Sequence, residues 1–433
     1  MINLLKKFSL PAIITAVSTF FVFPYSSQAQ NIPSKDTLSL SLQQAEKQFI
    51  DSNFLLLAAH YNVDAQKALI QQARLWQNPV LNSDQMIAAN GKFVSYTKDA
   101  SGNFQGQYYV QVQQLIMTAR KRGKLIDIAT TNAKIAELQL QDVLRNLRYQ
   151  LHQDYFTLQQ QLQLLPIYQN QLNQLNILVN GMQSQLNAGN IAQKDFVRMQ
   201  ALAIALQQDI VDLKKSIADT QNDLKTLLQI KDANLFVKPT EGLSSQTVAL
   251  PESEESLLNI AKQQNPYFLL QQTQTQLQQQ NLNYQKALRV PDVTLGPNFD
   301  RNSNFAPNYF GLGISLPLPI LNKNQGNIKS AEYNIKQQQA ITQNAETELK
   351  NNISNAYYKL SVTLQQNNNT QKEFYNKYSN IYTNMLESYK QRQIGLLEFL
   401  DFFNDYISSQ QRFIQQQLNL VLANEELNYY LGK

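Results

Sequence analysis

The sequence predicts a mainly α-helical protein with a small β part, built from one arrangement of helices and strands that occurs twice. Apolar residues follow heptad spacing through long segments that contain neither glycine nor proline, and the longest such segment runs from Asn327 to Gln393. Two pairs of short segments alternate apolar and polar residues, which is typical of strands with one apolar face. The chain also matches itself at an offset of about 200 residues.

Three ungapped blocks carry the internal repeat. The first block, at an offset of 212, pairs Pro79 with Pro291. Two later blocks match at offsets of 202 and 203, and the last of them pairs AGNIAQKDF with QRQIGLLEF. Self-similarity that recurs in the same order indicates a duplication. We therefore predict two structural repeats, at residues 30–240 and 241–433.

Each predicted repeat contains a helix that leads to a proline, two strands joined by a polar loop, a very long helix, a tight turn and a shorter helix. In the first repeat we predict strands at about 80–89 and 106–117 and helices at about 119–188 and 192–230. In the second repeat we predict strands at about 292–300 and 308–318 and helices at about 322–391 and 395–431.

The long helices are predicted to form a coiled coil. From Phe196 to Leu227, apolar residues step alternately by three and four residues, and this 3.5-residue period implies a left-handed supercoil. The predicted helix at 322–391 has roughly 70 residues and would be about 100 Å long. Pro166 lies inside the first long helix, where proline removes a hydrogen bond, so we expect a kink there.

The first residues have the features of an export signal. Two lysines precede an apolar stretch that reaches about Phe23, and small residues surround Ala29. We therefore predict a signal peptide at residues 1–29 and a mature chain that begins near Gln30. The sequence has no cysteine, so neither a disulfide nor a lipidated cysteine is expected in the exported chain.

Composition and residue spacing argue against several classes of protein. The formal charge of +5 is too small to indicate a nucleic-acid partner. The two histidines, His60 and His152, are far apart and have no cysteine or carboxylate at metal-binding spacing. No G-x-S-x-G motif or cluster of catalytic bases is present. We predict no enzyme activity, no catalytic residue, no metal site and no cofactor.

The four predicted strands leave open how a sheet with two free edges would be closed. Four strands are too few to close a barrel, and open sheet edges are not tolerated inside a bilayer. If the strands cross a membrane, several copies of the chain must combine their strands into one barrel. Each chain contributes about four strands, so two, three or four copies give 8, 12 or 16 strands. The membrane hypothesis therefore requires a homo-oligomer.

The sequence resembles the TolC-like outer-membrane factors of Gram-negative efflux and secretion systems over nearly the whole mature chain. The resemblance rests on the duplicated order of elements, on Asn78 and Pro79 before the first strand, on LPL followed by Asn-Gln-Gly after the fourth strand, and on the AGNI turn. The segment TARKRGKLIDIA is similar to the corresponding segment of the subgroup that serves heavy-metal exporters.

The resemblance implies an architecture and a function. Three chains would form a 12-stranded outer-membrane β-barrel that continues into a periplasmic tunnel of coiled-coil α-helices. The protein would be a passive exit duct in outer-membrane lipid, and it would work with a periplasmic adaptor and an inner-membrane pump. The cargo stays open between metal cations, drugs and polypeptides.

Acidic residues near the end of the predicted tunnel are candidates for an aperture. Glu398, Asp401 and Asp405 share a helix face just beyond the turn at 393–395, and Asp195 is the matching acid in the first repeat. Three chains would turn each position into a ring of carboxylates. The alternative interpretation is a solvated flank of the coiled coil.

Two further groups of residues have predicted roles. The helix-hairpin turns are candidates for the periplasmic tips that meet the adaptor, and their residues are Gly189, Asn190, Ile191, Ile394 and Gly395. The junction between barrel and tunnel is predicted at Pro79, Pro291, Pro317, Pro319, Arg120, Lys121, Arg122 and Lys124.

The basic run of the junction is predicted to be a charged collar or a solvated face. A phosphate-binding loop is excluded, because Thr118 stands where its first glycine is required. Long basic side chains at a membrane boundary extend towards the lipid head groups. Trp76, just before the first strand, is either an interfacial anchor or a packing residue.

Two other classes of protein stay open at this point. A soluble periplasmic coiled-coil adaptor or scaffold would share the heptads but would not need two pairs of strands. An exported enzyme would need an active-site cluster that the sequence does not contain.

Overall fold

The computed structural model describes residues 36–433, except for 90, 95, 99, 103–104, 244–247, 251–252, 304–305 and 368. The predicted signal peptide and the predicted start of the mature chain lie outside the described residues. In the part of the chain that the structure describes, every helix is too short or too polar to cross a membrane.

Short strands and long helices alternate in both halves of the chain. The first half contains β1 (Thr37–Leu40), α1 (Leu42–Ser52), α2 (Phe54–Arg74), β2 (Val80–Gln85), β3 (Ala88–Ala89), β4 (Lys92–Phe93), β5 (Tyr108–Ile116), α3 (Lys121–Asn187) and α4 (Gln193–Leu228). The second half contains β6 (Phe236–Pro239), α5 (Glu254–Gln264), α6 (Pro266–Ala287), β7 (Val293–Asn302), β8 (Pro307–Ser315), α7 (Gln325–Gln366), α8 (Asn369–Lys390) and α9 (Leu396–Leu431).

An asparagine is the N-cap of one helix in each half. Asn53 caps α2, because its side-chain oxygen accepts from the amide of Leu55, and Asn265 caps α6 in the same way. Each asparagine also donates its Nδ2 hydrogen to a carbonyl at the end of a distant helix, Asn53 to Leu227 at 3.0 Å and Asn265 to Tyr430 at 2.9 Å. Both side chains are buried, so these bonds fasten the start of α2 and α6 to the ends of α4 and α9.

The long helices pack side by side, and α3 lies at the centre of the bundle against α2, α4, α6 and α9. The heptad stripe of α4 from Phe196 to Leu227 faces the core, with Leu213 only partly buried. Tyr155 and Phe156 on α3 are among the largest fully buried side chains. Burial of this apolar stripe holds the helices together, since the opposite face of α4 is largely polar and exposed.

The long helices differ from the prediction in one place. The prediction of a single helix at 322–391 is wrong, because α7 ends at Gln366 and α8 begins at Asn369. The sequence around this interruption is a run of asparagines, which have low helix propensity because their side chains compete for backbone hydrogen bonds. Helix α3 continues through Pro166 as one helix of 67 residues, with buried Leu164 and Tyr168 packing on both sides of the proline, and the kink expected there stays a prediction.

The main sheet joins the two halves of the chain. Its strand order is β2-β5-β7-β8, and all neighbouring strands are antiparallel. The central β5–β7 pair links the first half to the second, and β2 and β8 are the edges. The strand that was predicted to reach residue 89 ends at Gln85, and residues 88–89 pair instead with Lys92–Phe93 in a separate hairpin.

One face of the main sheet is apolar and largely exposed in the single chain. Val110, Phe299 and Phe310 lie directly opposite one another on β5, β7 and β8 and therefore share this face. Along β8, Phe310, Leu312 and Ile314 are more than 60% exposed. An exposed apolar sheet face of this kind requires a lipid or protein surface to cover it.

A second, two-stranded sheet lies at mid-length of the helical bundle. Strands β1 and β6 are parallel, and Gln221 on α4 holds β6 by bonding both the amide and the carbonyl of Val237. The hydroxyl of buried Tyr155 donates to the carbonyl of Leu40 on β1. These bonds attach the short strands to the long helices.

Candidate functional sites

The two helix-hairpin turns lie together at one end of the bundle. They line a cavity of about 500 Å³ whose walls include Asn190, Ile191 and Ile394. Gly189 has a φ of 75° in the α3–α4 turn, where a side chain would be strained, and Gly395 precedes the first residue of α9.

Direct contacts connect the two hairpins at this cavity. The Nη2 of Arg392 donates to the Oε1 of Gln185 at 2.9 Å. The hydroxyl of Tyr389 lies 3.5 Å from the sulfur of Met182, and the Tyr389 ring stacks on Phe399. The hairpins of the two halves of the chain are therefore joined by one charged hydrogen bond and by the contact of Tyr389 with Met182, whereas the stack of Tyr389 on Phe399 lies within the second hairpin.

The predicted acidic residues fall into two groups. Glu398, Asp401 and Asp405 are exposed on one face of α9, opposite its buried face. Asp195 is half-buried and lines the cavity between the hairpins. Burial and the nearby carboxylate of Asp195 raise the pKa of Tyr389. The three acids of α9 are thus available to solvent in the single chain, whereas Asp195 faces the other hairpin.

Lys121 departs from the predicted collar because its side chain is only 5% exposed. Its Nζ lies 2.7 Å from the Oδ1 of Asp292 and 2.5 Å from the carbonyl oxygen of Val290, in the segment between α6 and β7. The same Asp292 oxygen accepts from the amide of Thr118 at 2.8 Å. A lysine is buried only when its charge is paired, so this contact locks the start of α3 against the start of β7.

The rest of the predicted junction lies at the ends of the strands. Pro79 directly precedes β2 and Pro291 comes just before β7, whereas Pro317 and Pro319 follow β8. Among the basic residues, Arg120 is exposed and Arg122 and Lys124 are half-buried; the Cζ of Arg122 lies 4.0 Å from the centroid of the Trp76 ring.

The polar face of the main sheet contains a glutamine side chain that lies flat across neighbouring strands. The Nε2 of Gln111 donates to the carbonyl of Gly296 at 3.2 Å, and its Oε1 accepts from Gln113 at 2.7 Å. A Cβ at Gly296 would lie 2.7 Å from this Nε2, and one at Gly313 would lie 3.0 Å from it. Glycine at these positions therefore makes room for the amide. Sequence reasoning missed this contact, although alternate glycines in FGLGIS gave a signal for it.

A second feature that sequence reasoning missed is the surroundings of His152. Its Nδ1 lies 2.6 Å from Glu425 on α9, and its Nε2 lies 2.6 Å from Glu46 on α1. Burial opposes the charged imidazolium, but the hydrogen bonds to Glu425 and Glu46 outweigh burial and raise the pKa of His152 to about 9. The bond from His152 lowers the pKa of Glu46. No spacing in the sequence brings these residues together, because they lie on three different helices.

The described residues contain no group of three or more histidine, cysteine or acidic side chains arranged to hold a metal ion. Both nitrogens of His152 are engaged by carboxylates, so this cluster is an ion-pair network that joins α1, α3 and α9.

Comparisons with known proteins agree on one family. A family model described as "Outer membrane efflux protein" matches residues 46–228 and 257–433. The cobalt-zinc-cadmium resistance protein CzcC of Cupriavidus metallidurans is 22% identical over 312 residues, which are 71% of this chain and 69% of CzcC.

Solved structures share the fold. CusC superposes with a TM-score of 0.71 at 17% identity, over 90% of this chain and 92% of CusC. The MtrE outer-membrane channel of Neisseria gonorrhoeae, solved in its open state, gives a TM-score of 0.70 at 16% identity, over 90% of this chain and 88% of MtrE.

Proposed function

The chain belongs to the outer membrane efflux protein family, and on this premise we propose how it builds its channel. The predicted resemblance to the TolC-like family is confirmed, and so is the predicted function. The protein is an outer-membrane efflux duct with its helical part in the periplasm, and it is neither an enzyme nor a soluble scaffold. The number of chains, the barrel and the partners are the proposed parts.

The proposal is a trimer whose three sheets close one 12-stranded barrel. The observation that carries it is the main sheet, which has four antiparallel strands, one apolar face and two open edges, β2 and β8. A bilayer does not tolerate open edges, and four strands cannot close on themselves. Pairing β2 of one chain with β8 of the next satisfies both edges, and a head-to-tail contact of this kind closes into a ring.

The interior of the proposed barrel has the polarity of a water-filled path. The face opposite the apolar rows carries Asn82, Gln111, Gln113 and Asn298. Uncharged amides of this kind allow varied solutes to pass without strong binding. The long helices, whose exposed surfaces are largely polar and include many glutamines and asparagines, would continue this path through the periplasm.

We further propose that the tips are the contact with a periplasmic adaptor, and that an inner-membrane pump supplies the energy. The support is the cavity between the hairpins, where Asn190, Ile191 and Ile394 lie together at one end of the molecule. The acidic face of α9, with Glu398, Asp401 and Asp405, is the proposed aperture ring, with Asp195 behind it on the other hairpin.

Engineered cysteines test the barrel cleanly, because the natural chain has none. Ser83 lies on edge strand β2 and shares the apolar face with Val110, and on edge strand β8 we select Phe310, Leu312 and Ile314 from that face. We expect Ser83→Cys, combined with one of the three β8 cysteines, to give covalent dimers and trimers after oxidation of outer membranes. The measurement is non-reducing electrophoresis.

The matched control places the first cysteine at Val110 instead of Ser83. Strand β5 is paired on both sides within its own chain, so it cannot reach β8 of a neighbour. If all Ser83 combinations stay monomeric, or if the Val110 control forms the same ladder, the proposed closure is wrong.

The hydrogen bond between the hairpins leads to a prediction about gating. We expect Arg392→Ala to open the tip more often, because it removes the bond to Gln185. An exposed bond of this kind is worth about 0.5–1 kcal/mol, so three chains that open together would raise the open population roughly 10- to 100-fold. Open probability in planar bilayers is the measurement.

Lys390→Ala is the control for this prediction. Lys390 lines the same cavity, but it pairs with Glu387 on its own helix and does not join the hairpins. Equal open probability in the two variants would contradict a role for the Arg392 bond.

A further inference from the structure

A cavity of about 240 Å³ lies at the junction of sheet and helices in the first half of the chain. It is formed by the segment between α2 and β2, the end of β5 and the start of α3. Its apolar walls are Leu75, Leu115 and Met117. Its polar lining residues are Gln77, Arg120 and Arg122. The lining therefore combines apolar surface with positive charge.

The positive charge of this cavity is not neutralised by its own walls, because none of the described residues that line it is acidic. Arg122 donates a hydrogen bond to the carbonyl of Arg74 at 3.3 Å and stacks over the Trp76 ring. A guanidinium has five N–H groups, and its planar fork matches the oxygen atoms of a phosphate. Trp76 is 61% exposed, so the stacked pair lies at an accessible surface.

The second half of the chain has the same fold without the counterparts of Arg122 and Trp76. Helices α3 and α7 both follow a left-handed residue, Arg120 with a φ of 55° and Asn324 with a φ of 58°. After that residue, α3 continues with Lys121 and Arg122, whereas α7 continues with Gln325 and Gly326. At the end of the preceding helix, Trp76 has Leu288 as its counterpart at the offset of 212.

We propose that this cavity binds the phosphate of an anionic phospholipid head group. This inference depends on the proposed function, which puts the junction of sheet and helices at the periplasmic surface of the outer membrane. Lipid phosphates lie at that depth, and tryptophan and arginine are the side chains that favour it. Arg122 and Arg120 bind the phosphate, Trp76 covers the glycerol region, and Leu75 and Met117 contact the first methylene groups.

The test is native mass spectrometry of the full-length protein extracted from outer membranes and titrated with phosphatidylglycerol or phosphatidylethanolamine. We expect the wild type to keep phosphatidylglycerol preferentially, and Arg122→Gln to bind it roughly tenfold more weakly. The matched control is Arg289→Gln, which also removes one arginine near the junction but at an exposed position outside the cavity. Trp76→Leu, which introduces the residue found in the second half, is a further variant that should weaken binding.

Several outcomes would overturn the inference. The lipid site is wrong if Arg122→Gln and Arg289→Gln bind phosphatidylglycerol equally. Displacement of the lipid by millimolar inorganic phosphate would assign the cavity to a free phosphate instead. The same spectra report the mass of the assembly. A wild-type protein without a three-chain mass would overturn the proposed trimeric barrel, together with the bilayer depth on which this site depends.

Discussion

Replacing Lys121 by methionine is expected to lower the free energy of unfolding by roughly 2–3 kcal/mol per chain. The change removes the buried ammonium that lies 2.7 Å from Asp292 and leaves this half-buried carboxylate without its charged partner. It also separates the start of α3 from the start of β7, which come from different halves of the chain. The measurement is thermal unfolding in detergent at fixed protein concentration and scan rate.

Two further variants decide whether the ion pair itself is responsible. Lys124→Met removes a half-buried lysine one turn away that has no ion-pair partner in the described part of the chain, and it should change the unfolding temperature little. The double variant Lys121→Met with Asp292→Leu should recover most of the loss, because no buried charge is left alone. A single variant as stable as Lys124→Met would contradict the proposed lock.

The second large effect is expected at His152, whose side chain is 11% exposed between Glu46 and Glu425. The folded-state pKa of about 9 lies above the ordinary value of about 6.5. The charged imidazolium therefore contributes stability that is complete below about pH 6.5 and is lost as the pH rises through about 9. The size of this contribution is roughly 2–3 kcal/mol.

The stability of the network at low pH depends on Glu46. Its pKa is lowered, so its contribution is present above the ordinary carboxyl pKa and is lost as the pH falls through the lowered value. Arg148, 4.0 Å from Glu46, and Arg145 and Lys433 in the same cavity add positive charge on this side of the network. The wild type should thus be most stable in mildly acidic buffer.

His152→Gln is the variant that tests this pH dependence. We expect its unfolding temperature to be lower at pH 6.5 and nearly independent of pH between 6.5 and 9. The control is His60→Gln, because His60 is the other histidine of the chain and is exposed. A wild-type protein whose stability does not fall between pH 6.5 and 9 would show that the network carries no such charge.

The sequence predicted best those features that repeat along the chain. The heptad stripe from Phe196 to Leu227 is visible because one helix face stays buried over many turns. The alternation of FGLGISLPL is visible because strand residues change face at every step. Such periodic signals need no knowledge of the partner element.

The features that the sequence did not predict depend on a single contact between distant residues. Lys121 looked like one of four equivalent basic residues, and only the approach of Asp292 makes it a buried ion pair. His152 similarly acquires its two carboxylates from α1 and α9. The short strands β1 and β6 were also missed, because four residues carry too little periodic signal. The end of α7 before Asn367 was missed because asparagines can also occupy a helix.

The pairing of β5 with β7 has a consequence for biogenesis. Strand β5 cannot complete its hydrogen bonds until the chain has been made and exported as far as residue 302, nearly 190 residues later. Contacts of such high sequence separation form slowly. During crossing of the periplasm, the polypeptide therefore carries an unpaired, aggregation-prone strand edge. A holding chaperone that shields this edge would be needed at that stage more than at any other. Loss of such a chaperone should lower the amount of assembled protein and leave the opening of the ducts that do assemble unchanged.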